Sequence, residues 1–283
     1  TLNLSSTYAT PLNHWTGTTT VNNAGILNQT ASGTHTIDTG FNNTGTVNVD
    51  AGRLTIGTSG TDTGQYAVDS GATLNFAGGT RNLNTGVSFS GAGTLLISGG
   101  TVNVNDSLTI AAPTLEFSGG TLGGTGNLTT TGAFNITGSS TITGSGVLTT
   151  QGATTISMAA VNNWVSLTGG KSWVNQGTLT VGDDDYIIFG YSSGGSNTLT
   201  NAAGGTLNLS STYATPLNHW TGTSTVNNAG TLNQTVSGTR TIDTAFNNTG
   251  TVNVDAGTLT IGTSGTDTGL YAVDSGATLN FSG

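Results

Sequence analysis

Short apolar bursts of period two run the length of this chain. TVNV at 46–49 sets Val47 and Val49 on one side, RLTI at 53–56 sets Leu54 and Ile56, and TLNF at 73–76 sets Leu74 and Phe76. Such alternation predicts β-strands with one buried face. The same tail marks Leu95/Ile97, Val102/Val104, Leu108/Ile110, Leu115/Phe117, Phe134/Ile136 and Leu179/Val181. Ahead of many tails stands an Asn-x-Gly phrase, read as a turn. Asn bonds locally and tolerates left-handed backbone, and Gly supplies positive φ.

The phrases recur at a spacing. VNNAGILNQ begins at Val21 and FNNTGTVNV at Phe41, an offset of 20, and Leu54 and Leu74 repeat that offset. Later the interval widens, to 26 from Asn175 to Asn201 and to 27 from Asn201 to Asn228. One such strand buries too few side chains to offset its ordering entropy, whereas stacked copies bury a continuous core. The pattern therefore predicts an all-β parallel β-helix, a β-solenoid with about 20–27 residues per coil. Its Asn residues would form an amide ladder along the axis. A β-sandwich, the main rival, uses longer strands and does not repeat a turn phrase at one coil length. The segments from Asp183 to Asn197 and from Tyr8 to Trp15 are expected to protrude as side loops, and Thr61 is read as a loop residue.

A longer period lies above the coil. STYATPLNHWTG occupies 6–17 and again 211–222, an offset of 205. Residues 1–78 align with 206–283 with eight differences, among them Ile26/Thr231, His35/Arg240 and Arg53/Thr258. Residues 1–205 are read as one full tandem unit and 206–283 as the start of the next, in one continuous solenoid excerpted from a longer array.

Composition narrows the function. Gly supplies 46 of 283 residues, charged residues are only 6%, and there is no Cys. Helix formers are scarce, and neither disulfides nor Cys-based metal sites are available. Four basic residues against 13 acidic ones, net charge −9, speak against nucleic-acid binding. No apolar run has the length of a membrane span.

The stretch FNNTGTVNVDAGRLTIGTSGTDTGQYAVDSGATLNFAGGTRNLNTGVSFSGAGTLLISGGTVNV resembles the repetitive regions of large secreted bacterial surface proteins. These are the filamentous-haemagglutinin-like adhesins and autotransporter passengers. The resemblance covers essentially the whole chain. It implies a right-handed parallel β-helix and a structural role in an extracellular adhesin, stalk or matrix fibre at the cell surface. Neighbouring units, identical chains and a surface or matrix polysaccharide are the expected partners.

Catalysis is the alternative, because many β-helices bind or cleave polysaccharides. Lys171, Arg53, Arg81 and Arg240 are scattered, and Asp183, Asp184 and Asp185 form the only carboxylate cluster. Adjacent strand residues alternate faces, so at most two of the three converge. The expectation is no enzyme, no catalytic residues, no cofactor and no metal. The Asp trio is read as a solvated acidic turn, with calcium as the sharper alternative. Trp15 and Trp220, each preceded by His (His14, His219), are read as plugging or covering a coil, with a sugar-stacking platform as the alternative. Tyr186, Phe189 and Tyr191 carry the same two readings.

Overall fold

In a computed structural model, which describes residues 1–282, every strand is three to six residues long, and the strands pair in parallel. No helix occurs among the described residues. The chain divides into two compact units, Thr1–Ala133 and a second beginning at Phe134. Each is a right-handed parallel β-helix whose coils contribute one strand to each of three faces.

In the first unit one face stacks Leu2–Leu4, Ile26–Gln29, Thr46–Val49, Gln65–Val68 and Ser88–Ser90. The second runs through Arg53–Ile56, Thr73–Phe76 and Thr94–Ile97, and the third through Gly40–Asn43, Gly60–Asp62 and Thr80–Leu83. Register puts like on like: Leu54, Leu74 and Leu95 form one column, and Ile56, Phe76 and Ile97 the next. Leu27, Val47 and Leu74 are fully buried, as the alternation requires. The interior between Phe76, Ile97, Val102 and Leu128 leaves a space of only about 10 Å³. That is at the lower limit for a single water, so this part of the interior offers no room for a ligand.

The second unit repeats the plan. Thr178–Val181 pairs with Thr206–Leu209, which pairs with Thr231–Gln234; Ser172–Asn175, Ser196–Asn201 and Thr223–Asn228 stack likewise. The junction between the copies, just before Thr206, thus falls inside an unbroken series of coils. Coil length varies: Val226 pairs with Phe246, whereas Ile187 pairs with Leu217 across a coil half as long again.

The predicted amide ladder is present and buried. Asn175 donates to Asn201 (2.8 Å), Asn201 to Asn228 (2.8 Å) and Asn228 to Asn248 (2.9 Å). Each donating amide also reaches a main-chain carbonyl: Asn175 that of Thr206, Asn201 that of Thr231 and Asn228 that of Thr251. A buried amide whose donors and acceptor are all used has its desolvation cost offset by those bonds.

The chain does bend at these phrases, but the left-handed backbone expected there needs correction. Asn23 and Asn43 are not left-handed, and neither Gly25, Gly45, Gly230 nor Gly250 has positive φ. These glycines serve close approach instead. A Cβ on Gly45 would lie 2.1 Å from the Gly25 carbonyl oxygen, and one on Gly250 2.1 Å from that of Gly230. Stacked main chains leave no space for a side chain there.

Two expected loops contain strands. Tyr186–Phe189 is a strand buried at all four positions, so the segment following the Asp trio does not protrude until after Phe189. Its run of four apolar residues fills both faces, with Ile187 and Phe189 inward and the Tyr186 ring covered from outside by Tyr213. Thr61 lies in the strand Gly60–Asp62 and faces solvent. The Tyr8 to Trp15 segment is largely exposed, held by a bridge from Leu12 to Ile37, whereas its second copy includes the strand Leu217–His219.

Candidate functional site

The two His-Trp pairs do not plug coils. Trp15 is 94% exposed and Trp220 61% exposed, while the indole that fills the interior is Trp173, at 0%. Trp173 sits in the column between Leu148 and Leu199 and donates to Thr150 Oγ1 at 3.2 Å. That column position was visible in its phrase WVNQG, where Trp173 replaces Val21 or Phe41.

On the outer surface of the second unit, five aromatic rings form one continuous band. Tyr213 stacks on Tyr186 with centroids 4.1 Å apart and planes at 10°. Tyr186 lies 5.9 Å from Trp164, Trp164 lies 5.7 Å from Tyr191, and Tyr191 lies 5.7 Å from Trp220. Trp164 and Tyr186 meet because they are register partners in adjacent coils. Tyr191 is set by the turn that follows Phe189. Gly190 (φ 81°), Ser192 (φ 63°) and Gly194 (φ 56°) are left-handed, and Gly194 N–H closes the turn on the Gly190 carbonyl. A Cβ on Gly190 would sit 1.8 Å from the Thr221 carbonyl oxygen, so only Gly lets this turn close on the segment carrying Trp220. The band uses five of the ten Trp and Tyr residues. Single-sequence reading grouped Tyr186, Phe189 and Tyr191; Phe189 instead points into the core.

The Asp trio leads into Tyr186 of this band, and its carboxylates diverge. Asp183 accepts from Ser157 Oγ (2.5 Å), Asp184 from Asn162 N–H (3.0 Å) and Asp185 from Met158 N–H (2.7 Å). Among the described residues no group of three or more His, Cys, Asp or Glu could hold a metal ion. Asp185 is buried, and one of its oxygens has no partner. Burial pushes its carboxyl up to about 6, helped by the Asp183 and Asp184 charges and opposed by the Met158 hydrogen bond. The folded chain therefore holds this proton up to about pH 6, whereas an ordinary carboxyl releases it near 3.8. Stability from this group is gained as pH falls through that window and lost as it rises. The expected gain is on the order of 1 kcal/mol. Urea unfolding of Asp185→Asn across the window should lack this increment; an unchanged slope would show that the carboxyl is ordinary.

The basic residues stand apart. Arg81 is fully buried against Asp62 and Tyr66. Lys171 is buried with Nζ donating to the Gly146 carbonyl (2.6 Å), and burial pulls its amine down to about 8. Arg240 occupies the position of His35, and both use it to reach the same carbonyl: His35 Nε2 lies 2.8 Å from Ser6 O, and Arg240 Nε donates to Ser211 O at 2.8 Å. That explains the His35/Arg240 difference between copies as two ways of satisfying one buried main-chain oxygen.

One recurring feature escaped the sequence reading. His14, Thr18, Thr20 and Asp38 line an open cleft of about 340 Å³, and His219, Thr223, Thr225 and Asp243 line its counterpart of about 360 Å³. His219 Nδ1 lies 2.7 Å from Ser224 Oγ, and His14 Nδ1 lies 3.8 Å from Asp38 Oδ2. Hydroxyl groups, one imidazole and one carboxylate make this a hydrogen-bonding surface. The chain matches no protein-family model, no curated protein and no solved structure.

Proposed function

We propose that this chain is a structural segment of an extracellular bacterial adhesin, stalk or matrix fibre, of the filamentous-haemagglutinin-like or autotransporter-passenger-like kind, and that it is not an enzyme. One observation carries the reading. The second copy begins on the preceding coil with full register, Thr206–Leu209 on Thr178–Val181 and Thr223–Asn228 on Ser196–Asn201. A repeat that seats its successor this way extends by addition, each coil templating the next. The low charge and dense Thr, Asn and Gly surface suit contacts with neighbouring units, with identical chains and with a polysaccharide matrix.

Two measurements test the proposal. Arrays of one, two and three 205-residue units should lengthen by a constant increment, on the order of 50 Å per unit, in electron micrographs. Incubation with polygalacturonate should release no unsaturated or reducing ends, with or without calcium. Particles that do not lengthen with added units, or measurable cleavage, would overturn it.

A further inference from the structure

We propose that the band formed by Tyr213, Tyr186, Trp164, Tyr191 and Trp220 is a docking track for a neutral polysaccharide, assembled where one copy of the repeat meets the next. This rests on the polysaccharide contact of the proposed function and gives it a site, and it is testable apart from the stalk role.

Tyr8 and Trp15 are the first-copy counterparts of Tyr213 and Trp220. In the first unit Tyr8 and Trp15 are 62% and 94% exposed and make no ring contact among the described residues. In the second unit the same two residues bracket Tyr186, Trp164 and Tyr191, which come from the end of the tandem unit. Neither the end nor the start of the repeat makes the band alone. A tandem array presents one such band per junction, and regular intervals between bands permit multivalent capture of a long polymer.

The chemistry selects the ligand. Tyr191 at 37% and Trp220 at 61% exposure keep ring surface open to solvent, beside a half-buried Trp164. Aromatic faces present apolar area with a negative quadrupole, which suits the C–H faces of pyranose rings. From Tyr186 to Trp220 the ring centroids follow at 5.7–5.9 Å with planes inclined by 36°, 59° and 62°, so the open faces of Tyr191 and Trp220 each meet a ligand separately and not as one flat platform. The turn that leads into Tyr186 brings Asp183 and Asp184, while the second unit's two basic side chains, Lys171 and Arg240, are buried. The local field is therefore negative, which repels uronate and sulfated polymers and leaves neutral ones. The turn at Gly190 and Gly194 and the ring-on-ring contacts fix the rings before any ligand arrives, which lowers the ordering cost of binding.

The test uses the full chain with cellohexaose and chitohexaose as neutral probes and hexagalacturonate as the acidic one, followed by Trp fluorescence and titration calorimetry. Saturable binding of at least one neutral probe is expected, with hexagalacturonate bound more weakly. Trp220→Ala and Tyr191→Ala should each weaken binding about tenfold, and Trp15→Ala by less than about twofold. Circular dichroism melts confirm that the variants fold. The proposal is overturned if neither neutral probe binds, if hexagalacturonate binds as tightly, or if Trp220→Ala weakens binding less than about threefold. It is also overturned if Trp15→Ala weakens binding as much as Trp220→Ala. A concentration-dependent dimer in sedimentation that Trp220→Ala dissociates would likewise overturn it, assigning the band to contacts between copies of this chain.

Discussion

Arg81→Met should lower the unfolding free energy by about 3–5 kcal/mol at neutral pH. Arg81 lies in a strand column with Phe41, Gly60 and Val102 and points into the core. Its guanidinium donates twice to Asp62, with Nε to Oδ2 at 3.1 Å, and once to the Phe41 carbonyl at 2.5 Å. The rings of Phe41 and Phe76 lie 5.9 and 5.6 Å from its charge. Gly60 makes the space, since a Cβ there would lie 2.3 Å from Arg81 Nη1. Tyr66 Oη donates to the same carboxylate at 2.7 Å.

Met fills the volume but leaves Asp62 a buried carboxylate without a counter-charge, the costly half of a broken pair. Burial already pushes the Asp62 carboxyl up, against the pull of Arg81, Tyr66 and the Asn43 backbone. Removing Arg81 raises it further. An acid whose folded pKa is raised costs stability above that pKa and not below the unfolded value, so the deficit should shrink as pH falls. Adding Asp62→Asn should recover most of it at neutral pH. Asp62 occupies the rung after Asn43 in the amide column, and an Asn there still accepts from Tyr66. Urea unfolding followed by circular dichroism, near pH 7 and near pH 5, checks both statements. A variant as stable as the parent at neutral pH would show that the pair is dispensable.

Leu74→Asp should be nearly as damaging, costing several kcal/mol or more. Leu74 is buried between Leu54 and Leu95, and Asp would place an unpaired charge where the neighbouring column of Ile56, Phe76 and Ile97 offers only apolar groups. Because each coil rests on the next, the loss spreads to the coils carrying Leu54 and Leu95. Thr61→Asp, on an outward strand position, should change stability by less than about 0.5 kcal/mol. Thermal melts of the two variants side by side decide the matter: equal melting temperatures would mean that Leu74 does not carry the core.

Much of the fold is legible in single residues. Val47, Leu54, Leu74 and Leu179 alternate with polar neighbours, and alternation is a local property that one strand displays without reference to any other. The amide ladder was legible because Asn recurs at a fixed place in each phrase. The glycine role was not. Gly45 looks like a turn residue in sequence, and only the carbonyl of Gly25, stacked against it from the preceding coil, shows that space decides its identity. The Arg81–Asp62 pair was equally hidden, because two charges in different coils meet only if the chain between them has the length of one turn. Of the candidate site, the residue types were readable and their grouping was not. Tyr191 reaches Trp220 through a left-handed turn and a close main-chain approach that no periodicity announces.

By itself the sequence determined that the apolar residues of the alternating phrases face inward and that strands of one kind recur. These follow from two-residue alternation and from repeated phrases. Only the tertiary structure decided what burial those inward residues obtain and which surface groups meet. Phe76, under a following coil, is 1% exposed, and its counterpart Phe281, with no coil beyond it among the described residues, is 57% exposed. Tyr8 and Trp15 are solitary, while Tyr213 and Trp220 complete a band. Identical residues differ because their partners lie one coil away, and the energy of a solenoid strand resides in the coil stacked on it.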